Sequence, residues 1–112
     1  QLRQQSQAQL SLQRSLTLAQ DIGDRPTEAI ALASLGELYA QQNQTQVAVT
    51  FYKQSVNITE TIRGNIRSLS SEQQRSYTAT VANTYRQLAD LLIAQGRIAE
   101  GQQVLELLKI QE

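Results

Sequence analysis

Apolar and small residues recur along this chain at steps of three and four, the signature of one helical face. The clearest run is Ala29, Leu32, Leu35, Gly36, Tyr39 and Ala40. Gln41-Gln42-Asn43-Gln44 interrupts it, with Asn43 suited to the left-handed residue that closes a helix. Thr45 is the expected cap of the next helix. A second run follows at Val47, Ala48, Phe51, Tyr52, Ser55, Val56, Ile58 and Ile62. Its stripe is wide, which predicts burial on more than one side. Gly36 lies mid-helix, where it costs about 1 kcal/mol against Ala. The expectation is that a neighbouring backbone passes close there, with Ala48 as the matching small surface and Tyr39 and Tyr52 as plugs beside the pair.

Upstream, Ala8, Leu12, Ser15, Leu16, Ala19 and Ile22 predict a helix over residues 1–22. Gly23 ends it, Asp24 caps the next helix, and Pro26 fits that helix's first turn, where its missing amide costs nothing. Downstream, Gly64-Asn65 is a stop signal, and Ser70 with Gln73 resembles a capping box. The next stripe is Tyr77, Val81, Tyr85, Leu88, Ala89 and Leu92, closed at Gly96. Ile98, Gly101, Val104, Leu105 and Leu108 carry a final helix.

These runs repeat one another. Leu35-Gly36-x-x-Tyr39 has its counterpart in Leu88-Ala89-x-x-Leu92, and Ala8, Ala48 and Gly101 occupy matching places. Leu35-Gly36-x-x-Tyr39 followed by Ala48 and Tyr52 resembles the tetratricopeptide repeat (TPR), whose spacing is that of a helix–turn–helix unit. Leu32 stands for the usual aromatic, Asn43 for the turn glycine and Ser55 for the second-helix alanine. The matching small residues lie about 40 and then about 53 residues apart, against the family's 34. The resemblance implies an all-α, right-handed superhelix of antiparallel helix pairs, about five helices in all. Residues 1–22 would be the second helix of a partial repeat. Residues 24–63 would form a complete repeat, and 70–112 a second one after an enlarged connection at 64–69.

The second half carries a narrower resemblance. Ile66-Arg67, Leu69-Ser70, Glu72-Gln73-Gln74 and Tyr77, then Tyr85-Arg86-Gln87-Leu88-Ala89-Asp90-Leu91-Leu92, Gln95-Gly96-Arg97 and Gln102-Gln103-Val104-Leu105-Glu106-Leu107-Leu108-Lys109, resemble the last TPR segment before a caspase-like CHAT domain in bacterial multidomain proteins. That implies a recognition or regulatory arm beside a His/Cys peptidase lying beyond Glu112. The absent initiator Met and an opening inside a helix fit an excised fragment.

Composition narrows the function classes. The chain has 112 residues, 40% of them hydrophobic, enough for one thin-cored domain. Zero formal net charge argues against a duplex-DNA partner. Polar residues interrupt every apolar run well short of about 18 residues, so no membrane partner is expected. Without Cys or His there is no thiol nucleophile, no usual general base and no soft metal ligand. No enzyme activity, cofactor or metal is therefore expected, and the lack of Cys is compatible with a cytoplasmic setting. Asp21, Asp24 and Glu28 cluster at a helix start, where capping accounts for them better than a hard cation. Arg63, Arg67 and Arg75 flank the long connection and read as a mixed, solvated surface with Glu60 and Glu72. Gln, roughly one residue in six, reads as a neutral helix surface. The four tyrosines read as core.

The expected partner is a peptide or protein, or the parent's own caspase-like domain. The resemblance places Ile30, Ala33, Ser34, Glu37 and Gln41, then Asn83, Arg86, Gln87, Asp90 and Ala94, on the concave side of the array. Of these, Glu37, Gln41, Asn83, Arg86, Gln87 and Asp90 are the candidate contacts. Ala33 and Glu37 depart from the Lys/Asn pattern with which such domains clamp a terminal carboxylate. The alternative is a homo-oligomer joined through solenoid end faces, with Leu12 and Leu16 at one end and Val104, Leu105 and Leu108 at the other.

Overall fold

The computed structural model describes residues 2–65 and 70–109, and within them every side chain except those of residues 2, 65, 71, 73, 74, 76–80 and 109. The described residues form five helices: α1 (Leu2–Ile22), α2 (Arg25–Gln41), α3 (Thr45–Asn65), α4 (Ser71–Ala94) and α5 (Ile98–Lys109). They fall into two compact units, residues 1–58 and 59–112. Ile66 to Leu69 of the expected enlarged connection, the Gln73 side of the capping box and the Tyr77 side chain lie outside the described residues.

Three helix ends share one device. Gly23, Asn43 and Gly96 have φ of 74°, 63° and 81°. In each case the next amide bonds a carbonyl five residues back: Asp24 N to Ala19 O (2.9 Å), Gln44 N to Tyr39 O (2.9 Å) and Arg97 N to Leu92 O (2.8 Å). This is the Schellman closure, in which a left-handed residue lets the chain satisfy carbonyls that the helix leaves orphaned. Asn43 is a non-glycine in that role, which its short amide tolerates. Asp24 then caps α2: Oδ1 accepts from Thr27 N at 3.2 Å, and Oδ2 accepts from the Thr27 hydroxyl at 2.7 Å. Pro26 sits in the first turn as expected. Thr45 is not a cap. It is the first residue of α3, and the Gln44 carbonyl before it receives the Ala48 amide.

In the first unit, α1 and α2 run antiparallel. Gln9 Nε2 donates to the Tyr39 hydroxyl at 2.9 Å, and Gln20 Nε2 to Glu28 at 3.3 Å. The face of α1 turned inward is Gln5, Gln9, Leu12, Leu16 and Ala19. The expected stripe is therefore corrected at Ala8, Ser15 and Ile22, all of which are exposed. They lie on a neighbouring side of the helix that α2 does not reach. Glu28, 7% exposed, is a buried carboxylate held by Arg25 Nη1 at 2.9 Å and by Gln20. Such a pair is tolerated because both charge and hydrogen bonds are matched.

Helix α2 also packs on the first half of α3. Tyr39 stacks on Phe51 with centroids 5.4 Å apart, and the Ser55 hydroxyl donates to the Ala29 carbonyl at 2.7 Å. The close approach at Gly36 comes from a ring, not from a backbone. A Cβ there would sit 3.1 Å from three atoms of the fully packed Tyr52 ring. Val47, expected on the α3 stripe, is 37% exposed, whereas Val49 and Thr59 are buried.

In the second unit, Ala82, Tyr85, Leu88, Ala89 and Leu92 make the buried face of α4. A Cβ on Gly101 of α5 would lie 2.7 Å from Ile93 Cγ1 and 3.0 Å from the Ala89 carbonyl. Here a backbone does come close. The Arg63 expectation is corrected: this residue is 6% exposed, not a solvated flank of the connection. Its guanidinium pairs with Glu60, donates to the Leu107 carbonyl at 3.0 Å, and lies 5.9 Å from the Tyr85 ring centroid. Its Nε is buried without a partner among the described residues. Tyr85 donates to Glu60. Burial and that hydrogen bond push its phenol well above the usual tyrosine range, while Arg63 opposes them.

Two outcomes follow from this packing. Gly101→Ala should lower stability by about 1–3 kcal/mol, because the Ala89 carbonyl cannot retreat as a side-chain tip can. Gly36→Ala should cost less: helix propensity returns about 1 kcal/mol at either site, but at Gly36 the neighbour is a ring that needs to give only a few tenths of an ångström. Chemical denaturation of both variants checks the ranking, and the reverse order would contradict it. Separately, burial, helped by Glu37, raises the Tyr52 phenol from 10.0 to about 12. The fold favours the neutral form. The stability this contributes is complete below pH 10 and is lost as pH rises through about 12. Melting temperature followed from pH 9 to 12, with ultraviolet titration of tyrosinate, should show the fall and the late ionisation together.

Candidate interaction surfaces

Ile30, Ala33, Ser34, Glu37 and Gln41 recur at helical spacing on the side of α2 away from its buried arc of Glu28, Ala31, Leu32, Leu35 and Leu38. Ile30, Glu37 and Gln41 are exposed, while Ala33 and Ser34 are half-buried at the strip's edges. Ile30 is 65% exposed, so the strip offers an apolar branched side chain beside a carboxylate and an amide. The buried arc fixes this strip in space: turning α2 to bury Ile30 would expose Leu35 and Gly36, both buried, the latter against the Tyr52 ring.

On α4, Asn83, Arg86, Gln87, Asp90 and Ala94 fall on one side, opposite Tyr85, Leu88 and Leu92. Asn83, Arg86, Asp90 and Ala94 are exposed and Gln87 is half-buried. This strip carries both charges one turn apart and no large apolar group at its centre. Each strip belongs to its own unit. Within the first unit Glu37 and Gln41 are brought together, and within the second Asn83, Arg86, Gln87 and Asp90.

The acidic cluster at the start of α2 resolves into separate tasks. Asp24 caps the helix, Glu28 is sequestered with Arg25 and Gln20, and Asp21 is exposed on α1. Among the described residues no group of three or more His, Cys, Asp and Glu side chains is placed to hold a metal ion. No helix among them is long and apolar enough to cross a membrane.

Sequence reasoning missed the outer side of α1. Leu10 is 49% exposed and Leu18 61%, and with Gln13, Arg14, Thr17 and Asp21 they line a shallow groove on the helix surface. Their signal was in the chain: Leu10, Arg14, Thr17 and Asp21 recur at four, three and four residues. A stripe with two charged residues and one apolar one was overshadowed by Leu12, Leu16 and Ala19.

No significant match joins the chain to a curated protein or to a solved structure. The family model for the tetratricopeptide repeat matches residues 3–61, the stretch that holds α1, α2 and most of α3. The Leu35-Gly36-x-x-Tyr39 signature, the small-residue contact with Tyr52, the five all-α elements and that match over more than half its length place the chain in the tetratricopeptide repeat family.

Proposed function

We propose that this protein is an interaction scaffold which captures a peptide or protein partner on the exposed strip of α2, with the α4 strip as a separate contact surface of the second unit, and that it serves as the recognition or regulatory arm of a caspase-like peptidase domain. Tetratricopeptide repeats are protein-interaction scaffolds, and the first helix of each repeat lines the side that meets partners. In this reading α2 and α4 are those first helices, α1 is the second helix of a partial repeat, and the two complete repeats span residues 24–63 and 70–112. The observation that carries the proposal is the α2 strip, where Ile30 stands in solvent beside Glu37 and Gln41. An exposed branched apolar residue flanked by polar groups is the composition of an interface anchor with its rim. Asn83, Arg86, Gln87 and Asp90 supply amide and charge contacts on the second strip.

The peptidase link rests on the sequence from Ile66 to Lys109, which resembles the segment before a CHAT domain. The chain itself has neither the His nor the Cys of a peptidase dyad. Catalysis would belong to the neighbouring domain, and the partner would be either a recruited protein or that domain itself, in a bacterial cytoplasm. A second reading is self-association. It is favoured by the large apolar side chains exposed on α1 rather than by Leu12, Leu16, Val104, Leu105 and Leu108, which are all half-buried.

Glu37→Ala and Arg86→Ala should each weaken partner binding about fivefold, the loss of roughly 1 kcal/mol that separates the contributing minority of contact residues from their near-neutral neighbours. Neither change should move the melting temperature, because both side chains are in solvent. Titration calorimetry with the captured partner reads the first effect, and thermal denaturation the second. Unchanged affinity in both variants would remove the proposed face. For the peptidase link, the coding sequence past Glu112 should encode an α/β domain bearing a His and a Cys. A stop codon or an unrelated domain there would end that part of the reading.

A further inference from the structure

The outer side of α1 carries a pattern that neither the core nor the partner strips use. Leu10, Arg14, Thr17 and Asp21 form a stripe of i, i+4, i+7 and i+11, with Leu18 on its flank. Helical geometry at 100° per residue sets this stripe opposite Leu12 and Ala19, the side packed on α2. It also lies apart from Ala8 and Ser15. The charges are spaced by seven residues, two turns or about 10.5 Å. Among the described residues neither Arg14 nor Asp21 has an ion-pair partner.

Between Leu10 and Asp21 the stripe holds one positive and one negative group, equally far from a point between them, and that segment is complementary to itself when turned end for end; Arg3 continues the same face two turns before Leu10 and, in that register, falls beyond the end of the opposing α1. We propose that α1 pairs with α1 of a second copy of this chain in antiparallel fashion, about a two-fold axis crossing the helix near Thr17 and Leu18. Arg14 of each copy then faces Asp21 of the other. The two Leu18 side chains, 61% exposed in the single chain, cover one another beside the axis. This is an isologous interface, the kind that stops at a dimer. The parallel arrangement would set Arg14 against Arg14 and Asp21 against Asp21, so charge selects the antiparallel one.

The occupant is a second copy rather than an unrelated helix because the Arg14–Asp21 segment, reversed, supplies the opposite charge at both of its own positions. An unrelated helix would need no such symmetry. The surface is small: one helix crossing one helix lies below the roughly 1,200 Å² of standard stable interfaces. The dimer is accordingly weak and forms only at high concentration. The inference deepens the self-association reading and does not rest on partner capture by α2 and α4.

Charge reversal gives the test, by sedimentation velocity on the full chain from about 10 µM to 1 mM at low salt. The wild type should show concentration-dependent dimerisation, weakened by added salt. Arg14→Asp places two negative charges on the stripe and Asp21→Arg two positive ones, so each alone should lose at least tenfold in dimer affinity. Mixing these two variants should restore a dimer, now between unlike copies, at or above wild-type affinity. The double variant R14D/D21R should also self-associate, because its pattern is again self-complementary. Leu18→Glu should abolish pairing without a charge partner to rescue it. Circular dichroism should find all four variants folded, as the substituted side chains are in solvent. A wild type that stays monomeric to 1 mM, single reversals that dimerise like the wild type, or a mixture with no heterodimer would each overturn the proposal. Glu37→Ala should dimerise as the wild type does, so failure of the α2 strip to bind a partner and failure of the α1 pairing are separate results.

Discussion

The packing of the first unit depends on one contact, the Tyr52 ring lying against the bare backbone of Gly36. A ring set 3.1 Å from where a Cβ would sit leaves no room for any other residue unless something moves. The contact fixes the separation of α2 and α3 and their register together. Tyr39 on Phe51 and Ser55 on the Ala29 carbonyl can form only in that register. The cost of a mid-helix glycine is offset by burial of a large aromatic side chain, which brings far more apolar area out of water than the lost methyl. The second unit solves the same problem differently. Gly101 admits the Ala89 carbonyl and Ile93, so the small residue is on the later helix and the bulk is aliphatic.

A chain with so few aromatics must build part of its interior from polar groups. Glu28, Ser55, Thr59 and Arg63 are all buried. Glu28 and Ser55 each have a partner from another helix, Gln20 and the Ala29 carbonyl, so the polar groups also tie elements together. Arg63 goes further, since its guanidinium reaches Glu60 on its own helix, the Tyr85 ring and the last turn of α5. A cation at that carbonyl complements the negative end of the α5 dipole. Burial of such a group is sustained by several partners at once, as no single one would repay its desolvation.

This explains where the sequence was readable. Helix limits were legible because their signals are local: Gly23, Asn43 and Gly96 need positive φ, and Asp24 needs only the amide three residues on. The α2 stripe, and the α4 stripe over its described part from Tyr85 to Leu92, were legible because those residues form a continuous buried arc. The stripe of α1 was misplaced because its inward side includes Gln5 and Gln9, which apolar periodicity cannot find, while Ala8 and Ile22 fit the period and face solvent. Arg63 was misread for a related reason. Its partners, Tyr85 and Leu107, are 22 and 44 residues away, and nothing near it in the chain announces them. The approach at Gly36 was foreseen, but its agent was not: a glycine reports that something is close without saying whether it is backbone or ring.

The surfaces of the first unit are divided by the same core that holds it. α1 gives its Leu12–Ala19 side to α2, and α2 gives its Leu35–Gly36 side to α3, so the Leu10–Asp21 stripe and the Ile30–Gln41 strip are left on different helices and remain free at the same time. An antiparallel α1 pair would therefore carry two open α2 strips related by the two-fold axis. Two strips in one particle raise the effective concentration of the second binding event for any partner with two sites, without a new contact at either strip. A weak dimer is suited to that task. At low abundance the chains stay apart and bind singly, and where a partner gathers them the α1 charges can pair. With a formal net charge of zero, copies of the molecule do not repel one another as like-charged bodies would. Association then depends on the local match of Arg14 with Asp21, at separations within a Debye length of about 8 Å at physiological salt.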